Sequence, residues 1–391
     1  MTTPAPHHLR RFRFNQPQRI AALLLLLFLA QCFWIIDHHT LNDVDYRYAQ
    51  CGREMWERPA NITGYYTSCG NIHDGTLAYR AAGLPLTLAV HLFAGPDASG
   101  SIWELRHEIS APRFLLLAPF TLAGLALGAC LWWVTRRLFG NQGGYLALAL
   151  FCVSPPILDA STHPNNEILA ALGLFALVYT AIGVSHAMQG PIKKWRPRIL
   201  LLTIIFGFTA AAHLPAMLVG LALATALMAY LAEGRRAYLP SLLLIWAAGA
   251  MLLLFASYGF RLDAYSYVFR SGSARLWFSL ADARIFLASL SNAGLSFATA
   301  VAFALWATNR RSRYFGNTVP LSIAALLFTL VTTGVESRPW VWALPFLLVF
   351  IAGVFADAFQ SRQRRLFIVL AAAAAAAQAA ISLTSLSQLA R

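Results

Sequence analysis

Charged side chains are scarce. Asp, Glu, Lys and Arg make up 12% of the 391 residues, about half of the ~25% usual in soluble domains. Together with 58% apolar residues, that shortage excludes a soluble globular chain and an intrinsically disordered one. The 25 Gly follow no triplet period, which excludes collagen, and five Cys are too few for a disulfide-dense miniprotein. Neither a P-loop nor a GxGxxG sequence occurs, and there is no sustained internal repeat. What remains is an all-α polytopic membrane protein forming one transmembrane domain over residues 1–391.

A bilayer core needs about 20 apolar residues per helix. Spans are expected near 20–36, 114–134, 143–160, 167–185, 199–213, 215–232, 238–258, 285–307, 318–335, 339–356 and 366–384, about eleven in all. His213 and Pro215 interrupt the fifth and sixth, which read as two short spans or a re-entrant hairpin. No small-residue cleavage site follows the first span, so it reads as an uncleaved anchor. Gly124, Gly128 and the alanine run at 371–377 read as helix-packing surfaces.

Acidic residues are the scarcer sign, 16 against 30 Lys and Arg, for a net charge of +14. With the N-terminus inside, 18 of the 30 basic residues fall on inner segments, among them Arg136, Arg137, Lys193, Arg235, Arg310 and Arg362. The inner side then sums to +16 and the outer to −2, so the basic excess reports topology rather than a nucleic-acid partner. The C-terminus is expected outside.

Two outer loops are long enough to carry function: residues 37–113 and the amphipathic segment 258–284. In the first, "DVDYRYAQCGREMWERP" has helical spacing, with Asp43 and Asp45 at its start and Pro59 after its end. It reads as a helix on the membrane surface, and its two acids either cap it or do chemistry. Residues 77–95 read as a second interfacial helix headed by Arg80. Glu167, at the outer mouth of the fourth span, is a carboxylate that hydrocarbon tolerates only if solvated, paired or used. Arg338 is a cation at the same boundary, either snorkelling or binding an anion. His213 reads as structural, and neither His38 with His39 nor His73 with Asp74 has metal-ligand spacing. Cys51 and Cys69, the only cysteines in the outer loop, are candidates for a disulfide.

Four stretches resemble the GT-C glycosyltransferases, in particular their bacterial protein-mannosyltransferase-like and aminoarabinose-transferase-like branch: "RYAQCGREM", "YRAAGLPLTLAVHLFAG", "RRLFGNQGGYLALALFCVSPPILDASTHPNNEILAALG" and "SRPWVWALP". The resemblance implies an inverting hexosyl- or pentosyltransferase in the bacterial inner membrane. It would move a sugar from a polyprenyl-phosphate donor to a lipid, glycan or protein acceptor on the outer face. Asp43 or Asp45 would be the base, Arg80 and Arg338 would hold the leaving phosphate, Glu167 would orient the acceptor, and Arg47 and Tyr48 would order the acidic helix. The family often has adjacent acids where this chain has Asp43-Val44-Asp45, so which aspartate is the base stays open here. No cofactor is called for, and a divalent cation is not indicated by any ligand cluster. The alternatives are a lipid or saccharide transporter, to which the break at His213 points, and a non-catalytic envelope assembly protein.

Overall fold

The computed structural model describes residues 15–57, 72, 75–94, 110–270, 276–332 and 339–390. Nine helices among them are long and apolar enough to cross a bilayer. The membrane set is α1 (Gln16–His38), α4 (Ser110–Cys152), α6 (Glu167–Met188), α7 (Ile192–Ala212), α8 (Leu214–Leu231), α9 (Leu239–Ser257), α12 (Ala293–Thr308), α14 (Pro339–Phe359) and α15 (Arg364–Leu389), with the shorter α13 (Phe315–Thr329). Between them lie α2 (Asp43–Glu57), α3 (Leu77–Ala89), α5 (Pro155–Thr162), α10 (Leu262–Arg270) and α11 (Ala281–Ala288). The apolar part of α4 is 41 residues long, about 60 Å at 1.5 Å per residue and twice a ~30 Å hydrocarbon core. It turns at Gly140, whose φ of 78° an L-residue rarely adopts, so α4 serves as two of the expected crossings.

Three expected boundaries are corrected. The third span does not run to residue 160: α4 stops at Cys152, because Pro155 and Pro156 cannot extend the ladder, and α5 starts afresh. The eighth does not begin at 285, since Ser289 is extended (ψ 123°) and divides α11 from α12. The ninth does not continue as helix to 335. Leu330 turns extended after α13, and β2 (Leu330–Thr332) pairs antiparallel with β1 (Leu276–Phe278), tying the second long loop to the bundle. No periodicity announces three-residue strands in apolar surroundings.

The break at residues 153–154 frees backbone carbonyls inside the bundle, where no water competes for them. Two glutamines take them. Gln31 donates to the Cys152 carbonyl at 3.0 Å, and Gln378 donates to Val153 at 3.4 Å and to Ser291 at 2.8 Å. The Gln378 carbonyl also accepts from the Leu295 amide at 3.0 Å, in the first turn of α12. Of the alanine run, only the face of Ala371 and Ala374 is buried, in line with Gln378. Replacing Gln378 by Leu is expected to lower stability by about 1–3 kcal/mol, the cost of orphaning buried partners, read as an earlier thermal transition in detergent.

Contacts sort the turns onto two opposite faces. On one, Tyr230 at the end of α8 stacks on Phe315 at the start of α13 (5.8 Å), Tyr314 donates to Asp357 near the end of α14, and Trp195 meets Tyr238. That face carries the arginine-rich turns at 136–137, 235–236, 310–313 and 362–365. On the other, Arg113 at the head of α4 donates to the carbonyls of Ile36 and Asp37 at the end of α1. Gly75, before α3, lies against the carbonyls of Ala211 and Ala212 at the end of α7. Helices α7 and α8 both run along α6, through Thr209 on Gly173 and Leu174 with Leu177 on Gly220, so they form two full-length arms joined at His213. His213 accepts from the Ala216 amide as an N-cap and its ring meets Trp342 edge-on at 4.9 Å, which gives the break a structural explanation. The hub is α14, buried along nearly its whole length.

On the second face α2 and α3 pack as a pair. They cross where Gly52 meets Gly83: a Cβ on Gly83 would lie 2.0 Å from the carbonyl carbon of Gly52, and one on Gly52 2.2 Å from the Tyr79 oxygen. Tyr48 of α2 stacks on Tyr79 of α3 (centroids 4.1 Å, interplanar angle 7°) and meets Phe120 of α4 edge-on. The expected packing role of Gly124 and Gly128 holds as well, against Ser161 and Phe151.

Candidate active site

The acidic start of α2 is built from a local cap. Asn42 precedes the helix and its side-chain oxygen accepts from the amides of Val44 (2.9 Å) and Asp45 (3.0 Å), while the Asp45 Oδ2 accepts from the Asn42 amide at 2.8 Å. This is a reciprocal capping box, three residues apart. Capping alone would leave Asp45 at the surface, yet it is 1% exposed. Asp43, on the first turn, is exposed and suits the helix dipole. The structure thereby separates two aspartates that the sequence left equivalent.

Asp45 is buried because His39 reaches it from the end of α1. The His39 Nε2 lies 2.8 Å from Asp45 Oδ2, and both side chains are 1% exposed. A carboxylate withdrawn from water is costly unless paired or hydrogen-bonded, and Oδ2 has both. The second oxygen, Oδ1, is buried with no hydrogen-bond partner among the described residues, and so is Nδ1 of His39. Buried orphan polar atoms are rare in folded proteins. Both orphan atoms belong to one hydrogen-bonded pair.

A second pair adjoins the first. His163, in the extended turn after α5, presents its ring edge-to-face to His39 at 4.6 Å between centroids, and its Nδ1 lies 3.2 Å from Asp159 Oδ1. The prolines at 155–156 place these residues here, because restarting the helix after the break swings its end toward α1. Asn165 then caps α6 through the amides of Glu167 (2.9 Å) and Ile168 (3.2 Å) and leaves Glu167 buried at the first position of that helix. Among the described residues, no group of three or more His, Cys, Asp or Glu is arranged to hold a metal ion.

The other expected site residues are distributed unevenly. Arg47 is on the exposed side of α2, and Tyr48 is buried in the tyrosine stack. Arg80 is at the far end of α2: its guanidinium lies over the Trp56 ring at 5.5 Å and its Nε donates to the Ser257 carbonyl at 2.8 Å, closing the end of α9. Trp56 follows Asp45 by eleven positions, about 16 Å along a helix axis, so Arg80 is not brought together with Asp45. Arg338 lies outside the described residues. Cys51 is buried and disulfide-bonded, and Cys69 lies outside the described residues. The residues that sequence reasoning missed are His39, Asp159 and His163. Their one legible signal was the i, i+4 spacing of Asp159 and His163.

No family model matches the chain. No curated protein matches it either. Solved structures do. ArnT from Cupriavidus metallidurans in the apo state is 14% identical with a TM-score of 0.60, over 91% of this chain and 63% of that one. The Archaeoglobus fulgidus oligosaccharyltransferase in complex with zinc and sulfate is 14% identical with a TM-score of 0.56, over 94% of this chain and 53% of that one. Its apo form is 12% identical with a TM-score of 0.54, over 97% and 56%. The chain spans less than two thirds of the length of each. A helical membrane bundle with a two-helix layer on one face, matched along nearly its whole length by these solved structures, has the fold seen in ArnT and in that oligosaccharyltransferase.

Proposed function

We propose that the protein is a membrane glycosyltransferase that moves a sugar from a polyprenyl-phosphate donor to an acceptor on the extracytoplasmic face, with inversion at the anomeric carbon. The observation that carries this reading is Asp45: buried, held at one oxygen by His39 and the Asn42 amide, and unpartnered at the other among the described residues. Attack at the anomeric carbon needs a base for the acceptor's proton, on the side opposite the departing phosphate. Asp45 supplies that base, and the positive-inside rule puts its face outside, because the arginine-rich turns occupy the other one.

Glu167 would orient the acceptor from the head of α6. Tyr48 would hold α2 in register through its stack on Tyr79, with Arg47 beside it. Arg338 is the cation proposed for the leaving phosphate. Arg80, held by Trp56 and the Ser257 carbonyl away from Asp45, would instead fix the far end of the α2–α3 pair. The pairing proposed for Cys51 is Cys69, the other cysteine of the loop. An apolar cavity of about 260 Å³, lined by residues of α11 to α14 including Phe286, Leu321, Phe328 and Leu347, would take part of a hydrocarbon tail.

The test is the envelope of a deletion strain, read by mass spectrometry of its lipids, glycans and proteins. A single sugar-sized mass increment that vanishes on deletion and returns with the wild-type gene is the expected result. An unchanged envelope would overturn the transferase reading.

A further inference from the structure

The turn of α4 at Gly140 carries two consecutive arginines whose heads lie toward the hydrocarbon rather than toward water. The Arg136 guanidinium lies over the Trp132 ring at 5.1 Å, and that of Arg137 over the Trp133 ring at 5.4 Å. Each ring precedes its arginine by four positions on a helix running toward this face, about 6 Å nearer the bilayer centre. An arginine at a membrane edge ordinarily extends its head away from the lipid. Elsewhere on this face, folded-back arginines serve helix ends: Arg236 donates to the Ala229 carbonyl, and Arg313 to those of Trp306 and Ala307. Nothing of that kind holds the α4 pair. Among the described residues Arg136 donates only through Nε, to the Asn141 side chain at 2.9 Å, Arg137 has no side-chain hydrogen bond, and neither has an ion pair. Asp357, the acid one turn beyond the Gly353 that Phe139 covers, is held by Tyr314 and Asn317.

We propose that Arg136 and Arg137 form a site for the phosphate of an anionic phospholipid in the leaflet on the arginine-rich face. Planar guanidinium groups bind a phosphate oxyanion through paired N–H donors, and indole rings at a membrane boundary occupy the headgroup level. The turn is open to such a ligand: nothing lies within 4 Å of a Cβ built on Gly140, and Trp133 is 56% and Leu138 48% exposed. Exposed apolar side chains beside these donors fit a headgroup that carries acyl chains, where a phosphate dissolved in water would use the donors alone. An anionic lipid is favoured over a zwitterionic one because the three other arginine turns, at 235–236, 310–313 and 362–365, add cations to the same face. The assignment goes beyond the transferase reading, since it requires only that the chain sits in a bilayer.

The full chain, purified in detergent at about 0.15 M salt, where exposed charge is screened, is titrated with phosphatidylglycerol or phosphatidylcholine, and bound lipid is read by native mass spectrometry. Wild-type protein is expected to hold phosphatidylglycerol ~10-fold more tightly than phosphatidylcholine, and added inorganic phosphate should not displace it. Arg136→Gln combined with Arg137→Gln should weaken phosphatidylglycerol by about 10–30-fold, the worth of two interfacial arginines. Trp132→Leu combined with Trp133→Leu keeps both charges but loses the stacking, and should cost ~5-fold. Arg364→Gln combined with Arg365→Gln removes the same charge from the same face away from these indoles, and should cost less than ~3-fold. Equal loss in the two arginine pairs would reduce the site to diffuse charge, and displacement by inorganic phosphate would make it a site for the free ion. Equal retention of both lipids by wild-type protein, a comparison that needs no variant to fold, would remove the site altogether. Each of these results overturns the proposal, and none bears on sugar transfer.

Discussion

Asp45→Asn is expected to lower transfer by about 10²–10⁴-fold, the usual worth of a positioned general base, while Asp43→Asn stays near the wild-type rate. The two differ by two positions on one helix and carry the same chemistry, so the contrast is set by surroundings alone. Asp43 is exposed on the first turn and supports a dipole, a contribution of about 0.3–1 kcal/mol. Asp45 has one oxygen held by His39 and the Asn42 amide, and its other oxygen is buried with no hydrogen-bond partner among the described residues. An amide at 45 keeps an acceptor for the Asn42 and His39 donors, so the local fold has little reason to change, but it takes no proton. Membranes carrying each variant, assayed for the restored mass increment, give the answer directly. Equal loss in both, or none in Asp45→Asn, would remove Asp45 from the mechanism.

Gly83→Val and Gly52→Val should be the most damaging substitutions outside the site. Each glycine's missing Cβ is occupied by the backbone of the other helix at 2.0–2.8 Å, contacts that no rotamer change relieves. Helices α2 and α3 would have to part, opening the Tyr48–Tyr79 stack and carrying Asp45 with α2. Overpacking of a tight contact costs about 1–3 kcal/mol or more, and because the carboxylate moves with its helix, activity should fall further than stability. Gly183→Ala is the control: nothing lies within 4 Å of its added carbon, and alanine favours a helix interior by up to ~1 kcal/mol. Thermal unfolding in detergent beside the membrane assay separates the two losses. A Gly83→Val protein with wild-type melting and rate would show that the crossing is not a close one.

The readable part of the site was its first loop. The helix at 43–57 and the interfacial helix beginning at residue 77 were legible because each has an amphipathic period and a start signal within a few residues, and DVDYRY marked the acidic end. In the sequence His39 stands out only beside His38, without metal-ligand spacing, and nothing there points to Asp45 as its partner. His163 is 124 residues farther along the chain than His39, and no local pattern reports that they touch. Arg80 shows the opposite failure: it is on the right helix and the right face, but position along the helix decides reach, and its partner is the end of α9.

Hydrophobicity along the chain is enough to determine a helical membrane bundle, the placement of most crossings and the gathering of arginines into alternate turns, because lipid forces every spanning backbone to satisfy itself locally. Local satisfaction is written in local sequence. Which aspartate is buried, which histidines meet it and which glutamines repair the broken helix depend on contacts between residues 31 and 152, 39 and 163, or 153 and 378. Only the folded chain settles these, because a buried polar group is stable solely where distant segments bring it a partner.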